Sequence, residues 1–374
     1  MYGMSRSQRI SRLKQVDSLR VKNERLKGPD GLRGLAAMWV VVFHIWGAVQ
    51  RRDTDWVPSS IQTLFEYGFL GVDIFFVLSG FVITYSLIGK PIDRFFVPRF
   101  ILRRSIRIDP PYWATIGLAI AFILAKNTLF SEHREPLPSL WNVVAHVFYL
   151  QDLLEFTAIS SVFWTLCLEF QFYIVFAIAA WILPKYQFSD RDELPLFLTF
   201  FAFLVMIISP YFRFTEESMP IPGTIFPYIY EFLLGILTCL YLTGRFRIGA
   251  LVLVVATVFV VTIYLKSPFH AIVPVATVLV LIGSSRGWRC LRFLFTDSFQ
   301  FLGKVSYSLY LTHAIVGWAF VSVLVQFLES WPSSVVTSAI FASGLTISVV
   351  FSYIFYCFIE KIFIRLSKKL KVRI

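Results

Sequence analysis

The segment that decides the fold is LRGLAAMWVVVFHIWGAVQ, residues 32–50, where apolar side chains continue for about one membrane thickness. A helix rises about 1.5 Å per residue, so about 20 apolar residues cross the roughly 30 Å of bilayer hydrocarbon. Two ionisable side chains, Arg33 and His44, interrupt the apolar run. The segment therefore predicts a membrane-spanning helix whose polar groups have a role, because such groups are costly in lipid.

The composition of the whole chain agrees with this interpretation. Of its 374 residues, 57% are hydrophobic and 16% charged, and the mean hydropathy is +0.70. A soluble domain has about a quarter of its residues charged. We therefore predict an all-α, polytopic transmembrane bundle of about ten spans, over 30–360, between basic tails at 1–29 and 361–374. The predicted spans are 32–50, 67–88, 110–129, 162–183, 194–212, 225–243, 248–265, 269–284, 305–328 and 335–358, with a re-entrant or interfacial helix over 141–154.

The distribution of charge predicts the orientation. Basic residues cluster in both tails and in the loops after the second, sixth and eighth spans, all on one side if the spans alternate. The loops on the other side are more acidic and contain Glu132, Glu135, Glu216, Glu217 and Glu329. Since positive charge favours the cytosolic side, we expect both termini in the cytosol. The net charge of +12 is then a topology signal and a surface for anionic membrane lipids, and nucleic acid is not an expected partner.

The cysteines do not suggest a disulfide framework or a metal site. Cys167, Cys239, Cys290 and Cys357 are far apart and form no CxxC pair. We expect reduced thiols and no bound metal. The long, polar and basic segment 1–29 also differs from a cleavable signal peptide.

Two ionisable residues within predicted spans, His44 and Glu169, are candidates for catalysis. Arg33 and His44 are eleven residues apart, so they share one helix face and are separated by about 16 Å. Glu169, in the segment WTLCLEFQFY (164–173), falls at a depth similar to that of His44. A structural hydrogen-bonding role is the alternative for a lone histidine such as His44. For Arg33 the alternative is that its side chain reaches the membrane surface and fixes the orientation of the helix.

Two further carboxylates lie at comparable predicted depth. Asp73 and Glu231 each fall about two turns inside the acidic side, which together with His44 and Glu169 suggests an outward-opening polar cavity. Asp73 has the alternative role of capping a bent helix. For Glu231 we favour a structural pairing with an arginine or a tyrosine.

The basic loop after the second span has helical spacing. Arg99, Arg103 and Arg107 recur along one face, with Arg104 beside them, ahead of Pro110. Such a helix can bind lipid headgroups, or its guanidinium groups can clamp phosphates bidentately. Coenzyme A carries several phosphates and would connect this loop with Arg33.

Five segments in order resemble the acyltransferase type 3 family of membrane acyltransferases. They are Leu32–Ala37 leading to His44, Gly71–Phe81, Arg104–Arg107, Trp164–Tyr173 and Gly303–His313. The resemblance implies a bacterial inner-membrane enzyme that moves acetyl or other short acyl groups from acyl-CoA to sugars and lipid-linked glycans.

The chemistry of acyl transfer to a hydroxyl then suggests roles for these residues. His44 is the predicted general base, with Glu169 orienting its imidazole. Arg33, Arg104 and Arg107 are expected to hold the phosphates of the acyl-CoA donor, most simply acetyl-CoA. Asp73, Trp164 and Tyr173 are expected near the carbohydrate acceptor.

Alternatives to direct acyl transfer stay open at this point. The reaction may pass through a covalent acyl-histidine. The buried His, Asp and Glu residues would also suit a proton-coupled transporter or exporter, although no inverted repeat is visible. A non-catalytic receptor or scaffold is the third possibility.

Overall fold

The computed structural model describes residues 26–369 except 51, 53, 56, 91, 130–134, 184–195, 216–220, 329 and 332. Within these residues all regular structure is helical, so the all-α prediction is confirmed. Residues 1–25 and 370–374 of the predicted tails lie outside the described residues. So do Glu132, Glu216, Glu217 and Glu329, which entered the orientation argument.

Fourteen α-helices occur in the described part of the chain. They are α1 (Lys27–Val49), α2 (Ser59–Glu66), α3 (Gly71–Leu87), α4 (Phe96–Leu129), α5 (Leu140–Val147), α6 (Trp164–Ile182), α7 (Leu196–Phe214), α8 (Ile229–Leu242), α9 (Ile248–Tyr264), α10 (Pro268–Ser285), α11 (Asp297–Thr312), α12 (Trp318–Phe327), α13 (Ser334–Phe355) and α14 (Lys361–Lys369). Short 3₁₀ segments cover Tyr67–Leu70, Phe226–Tyr228 and Arg289–Phe295, and single π turns cover His313–Gly317 and Tyr356–Glu360.

The apolar helices follow the predicted spans closely. In the described residues, eight helical segments are long and apolar enough to cross a membrane. Two shorter apolar helices, Phe226–Leu242 and Ile248–Tyr264, coincide with the predicted spans 225–243 and 248–265. The protein is a membrane-embedded helical bundle, and the number of crossings and the side of the termini stay predictions.

The third span departs from its predicted boundary. The sequence predicts its start at Pro110, where the apolar run begins. In the structure α4 runs through Pro110 and Pro111 without ending. The basic segment that contains Arg104 and Arg107 is therefore helical, as its spacing predicts, but it is the first half of the spanning helix and not a separate loop.

The segment 141–154 forms only one short helix, α5. Ser139 caps it by accepting a hydrogen bond from the Asn142 backbone N–H at 3.2 Å. The chain then turns inward, and the buried ring of Tyr149 stacks on Tyr112 and Phe170 at 4.8 and 4.7 Å. The segment is therefore one short helix followed by turns, and not the continuous re-entrant or interfacial helix that the sequence predicts.

Close contact between α1 and α11 positions the residues of the site. A Cβ atom on Gly303 would lie 2.0 Å from the Asp30 carbonyl oxygen, so only glycine permits this approach. Small residues allow membrane helices to approach in this way. As a result α1 and α11 lie side by side, and His44 reaches the π turn that begins at His313.

Candidate active site

A polar cavity of about 120 Å³ opens among α1, α3, α4, α6 and α11. Five of the residues singled out from the sequence line it: Arg33, Arg104, Arg107, Glu169 and Tyr173. We call it the basic cavity. Its other polar lining residues are Ser79, Thr165, Lys304, Ser306, Tyr307, Tyr310 and Glu360.

The charge of the basic cavity favours anions. Arg33, Arg104, Arg107 and Lys304 contribute four cationic groups, against the carboxylates of Glu169 and Glu360. Among the described residues, no carboxylate lies within ion-pair distance of any of the four cations. A partly enclosed, uncompensated positive charge attracts phosphate-bearing ligands and binds them through charge-assisted hydrogen bonds.

Glu169 is held by neighbours on its own helix and on α3. It accepts hydrogen bonds from the Ser79 hydroxyl at 3.1 Å and from the Tyr173 hydroxyl one turn along α6. The guanidinium of Arg104 lies 5.5 Å from the centre of the Tyr173 ring. These contacts place Glu169 in the basic cavity, whereas the predicted support for the His44 imidazole is not among its hydrogen bonds.

The partner of His44 is a second histidine. The His44 Nδ1 and His313 Nε2 atoms are 3.1 Å apart, and the ring centroids are 4.9 Å apart. Burial of His313 is complete, and its ring lies 5.9 Å from that of Tyr310, which lines the basic cavity. The histidine pair therefore adjoins this cavity without being part of its lining.

The hydrogen bonds of the pair fix the tautomer of both neutral rings. His313 Nδ1 lies 3.0 Å from the Leu309 carbonyl oxygen, which can only accept, so this nitrogen carries a proton. His313 Nε2 is then an acceptor for the Nδ1–H of His44, which also lies 3.0 Å from the Val40 carbonyl. The lone pair of neutral His44 is consequently on Nε2, where a base is needed to take a proton.

Asp73 and Glu231 form a separate buried cluster. Arg213 donates to Asp73 at 2.9 Å and to Glu231, and Glu231 also accepts from the Tyr230 hydroxyl at 2.8 Å. The predicted pairing of Glu231 with an arginine or a tyrosine is confirmed. Asp73 is 2% exposed and lines neither the basic cavity nor the second cavity, which is described below. The structure therefore gives it an ion-pair partner instead of access to a ligand. The sequence predicts one depth and one polar cavity for His44, Asp73, Glu169 and Glu231. In the structure these four residues do not share one cavity.

Trp164 faces a second cavity, of about 390 Å³, where α6 begins and α7 ends. Asp152, Arg213 and Tyr228 are among the other residues around it. The two cavities are separated by aromatic rings, because Phe76 lines the basic cavity and contacts Trp164 and Tyr228 at 6.5 and 5.8 Å. Trp164 and Tyr173 therefore lie on different cavities, although the sequence places both near one acceptor.

Several residues of the site were not recognised from the sequence. Glu360 accepts from the Ser308 hydroxyl at 2.6 Å and from its backbone N–H at 3.2 Å. Both Glu360 and His313 belong to π turns, which often mark functional sites in helices but have no sequence signature. The signal available for His313 was its place at the end of the segment 303–313, and for Arg213 its place at the end of an apolar helix.

Metal binding has no support in the described residues, in which no group of three His, Cys, Asp or Glu side chains is arranged to hold an ion. All four cysteines are free. Cys167 and Cys239 are buried as expected, while Cys290 is exposed.

The fold and the polar cavity define an integral membrane protein with an internal ligand site. The chain belongs to the acyltransferase type 3 family, since the family model described as an acyltransferase domain matches residues 26–357. It is therefore an acyltransferase. No solved structure matches the chain significantly.

Two curated relatives share part of the chain. The O-acetyltransferase OatA of Staphylococcus aureus (strain NCTC 8325 / PS 47) is 27% identical over 208 residues, which are 53% of this chain and 32% of the relative. The same values hold for the O-acetyltransferase OatA of Staphylococcus aureus (strain COL). The matched part of the chain thus spans about a third of the length of these relatives.

Proposed function

We propose that this protein is a membrane O-acyltransferase that moves an acyl group from acyl-CoA to a hydroxyl of a carbohydrate or a lipid-linked glycan. The donor is most simply acetyl-CoA, in line with the relatives, which are named O-acetyltransferases. The observation that carries the proposal is the basic cavity, in which four cations outnumber two carboxylates beside a histidine pair.

The basic cavity is the site for the CoA donor. Arg104 and Arg107 on α4, Arg33 on α1 and Lys304 on α11 approach one space from three helices. Guanidinium forks bind phosphate oxygens bidentately, so these side chains suit the phosphates of coenzyme A. The apolar wall beyond them, which includes Phe75 and Phe76, suits the uncharged pantetheine and acyl parts.

His44 is the general base in this proposal. Its Nε2 removes the proton of the acceptor hydroxyl as the hydroxyl oxygen bonds to the thioester carbonyl carbon. The tetrahedral intermediate then expels the CoA sulfur, which takes the proton from His44 and leaves as the thiol. His313 is a positioning residue, since its Nε2 accepts from His44 Nδ1 and holds the imidazolium that forms. Glu169 supports that positive charge electrostatically and not by direct contact.

The orientation follows from the same assignment. Acyl-CoA is a cytosolic metabolite, so the end of the bundle that opens the basic cavity faces the cytosol, as do both termini. The membrane is then the plasma membrane, and in a bacterium the inner membrane. Membership in an acyltransferase family leaves the transporter and scaffold alternatives without a specific observation in their favour.

Labelled donor tests the proposal directly. Membranes that contain the wild-type chain, His44→Ala or His270→Ala are incubated with acetyl-labelled CoA, and label is followed into glycan and lipid-linked fractions. His270 is a matched control because it is a histidine of α10 that packs against Phe214 and lines neither cavity. We expect label with the wild type and the control but not with His44→Ala. Equal label in all three would refute the role of His44, and no label with any acyl-CoA and glycan would refute the enzyme assignment.

A further inference from the structure

The second cavity has the construction of a ligand site. Six residues matter for its chemistry: Asp152, Trp164, Arg213, Gly223, Thr224 and Tyr228. Its volume of about 390 Å³ lies at the lower end of the range of small-molecule sites, roughly 300–1,000 Å³.

Helix α6 builds this cavity with one face and the basic cavity with another. Trp164 and Leu168, one turn apart, line the second cavity, whereas Thr165 and Glu169 line the basic cavity. A single rigid helix therefore fixes the distance and orientation between the two ligand spaces.

The loop at the mouth of the second cavity is pinned to the same helix. Gln171 donates to the Gly223 carbonyl and accepts from the Ile225 backbone N–H, both at 2.8 Å. Gly223 has φ +67°, and a Cβ there would lie 2.5 Å from the Asp152 carbonyl carbon. The loop consequently presses its backbone against Asp152 and holds this wall in place.

The polar and aromatic groups of the cavity suit a carbohydrate. The rings of Trp164 and Tyr228 are 5.6 Å apart and inclined at 48°, so they offer two apolar surfaces for sugar C–H faces. Asp152 also lines the cavity, and a carboxylate accepts hydrogen bonds from ligand hydroxyl or ammonium groups.

The charges of the second cavity are opposite in effect to those of the basic cavity. Arg213 contributes the cation, but Asp73 and Glu231 already offset its charge through direct ion pairs. Asp152 then remains as a carboxylate at the cavity wall. A carboxylated or phosphorylated ligand would meet repulsion here, and among the described lining residues it would find no cation outside an ion pair.

We infer that the second cavity binds the acceptor, and that it takes neutral or amine-bearing sugar units in preference to carboxylated or phosphorylated ones. The inference rests on the proposed function and specifies its acceptor site. The donor and the acceptor then approach from opposite sides of the Phe76, Trp164 and Tyr228 ring cluster, so the Phe76 ring must move aside for transfer.

Direct binding tests this inference without any chemistry. The purified full-length protein in nanodiscs is titrated calorimetrically with a chitin tetrasaccharide, a chitosan tetrasaccharide and tetragalacturonate as neutral, amine-bearing and carboxylated probes. We expect the first two to bind at least tenfold more tightly than the third. Trp164→Ala should weaken both about tenfold, and Asp152→Asn, which keeps the side-chain shape, should weaken the amine probe and narrow the gap to tetragalacturonate.

The control is Trp331→Ala, because Trp331 is 66% exposed and lines neither cavity, so its loss should leave binding unchanged. Tightest binding of tetragalacturonate, no binding of any probe, or no effect of Trp164→Ala and Asp152→Asn would overturn the inference.

The binding test separates this inference from the proposed function. Sugar binding should persist in His44→Ala and in Arg104→Gln, because neither residue lines the second cavity. Sugar binding that follows the expected pattern, with no acyl transfer to any hydroxyl, would refute the proposed function and leave the sugar site. Acyl transfer that is unchanged by Trp164→Ala and Asp152→Asn would refute the acceptor site and leave the enzyme.

Discussion

Replacement of His313 by leucine removes the hydrogen-bond acceptor that lies 3.1 Å from His44 Nδ1. The leucine side chain still fills the fully buried position. Before proton transfer both rings are neutral, and such a bond contributes about 1 kcal/mol. Once His44 carries the extra proton the bond becomes charge-assisted and contributes roughly 1.5–3 kcal/mol. The difference, about 0.5–2 kcal/mol, corresponds to a loss of about 2- to 30-fold in kcat.

The assay is acetyl transfer from labelled acetyl-CoA by purified protein, with kcat and KM determined separately for His44→Ala, His313→Leu, His313→Gln and the double variant. KM for the donor should not change, because His313 does not line the basic cavity. Glutamine supplies an amide oxygen as acceptor, so it should restore part of kcat. His44→Ala should cost about 10²–10⁴-fold, and adding His313→Leu should cost little more, because the two act as a unit.

Two results would refute this reasoning, provided that thermal melts show folded protein. One is an effect of His313→Leu that appears in KM. The other is a full additional loss when the histidine variants are combined, which would mean that His313 acts independently of His44.

Three further outcomes are expected. Arg104→Gln combined with Arg107→Gln should raise KM for acetyl-CoA about 30- to 1000-fold with a small change in melting temperature, since two charged contacts are lost and each costs about 1–2 kcal/mol; an unchanged KM would indicate lipid contact only. Arg213→Met should destabilise the protein by about 3–5 kcal/mol in denaturant melts, because two buried carboxylates lose their cation; a loss below about 1 kcal/mol would contradict the ion-pair account. Burial lowers the pKa of His146 below its usual 6.5, and its Nε2 accepts a hydrogen bond from the Ile159 N–H. Stability should therefore fall as the pH drops below about 6.5, and His146→Gln should reduce this pH dependence in thermal melts. Equal pH dependence in both proteins would refute this role of His146.

The fold was largely predictable because the membrane imposes it. Apolar length locates the apolar helices, since lipid cannot satisfy exposed backbone groups in any irregular segment. The clearest error is the start of α4, which was predicted at Pro110, where the apolar run begins. The helix starts at Phe96 and continues through both Pro110 and Pro111, because apolar length does not report the basic turns that precede the run.

The residues of the basic cavity were predictable for a related reason. Arg33, Arg104, Arg107 and Glu169 are charged groups on apolar helices, and such groups need either a partner or a ligand. The sequence does not say which of these applies. Asp73 illustrates the ambiguity, because it has the same kind of position as Glu169 but is paired with Arg213.

The partner of His44 was beyond sequence reasoning. His313 is 269 residues away, and its approach depends on contact between α1 and α11 at Gly303 and on a π turn. Neither feature follows from periodicity, because a π turn interrupts the 3.6-residue repeat on which periodicity arguments depend. The predicted pairing of Glu169 with His44 was based on equal depth alone. Depth does not show that the Ser79 and Tyr173 hydroxyls are the groups that donate hydrogen bonds to Glu169.

The π turn at His313–Gly317 also limits how this chain can change its length. A π turn accommodates one residue more than the α-helical repeat around it, so a single deletion there would restore a regular helix. It would also rotate everything on one side by about 100° and shift it by about 1.5 Å. Either His313 would leave His44, or the whole of α12 would turn its apolar contacts away from α13. Insertions and deletions between Gly303 and Gly317 should therefore be far less tolerated than substitutions. The number of residues in this stretch is fixed by the two contacts that it must make at once, those of His313 with His44 and of α12 with α13.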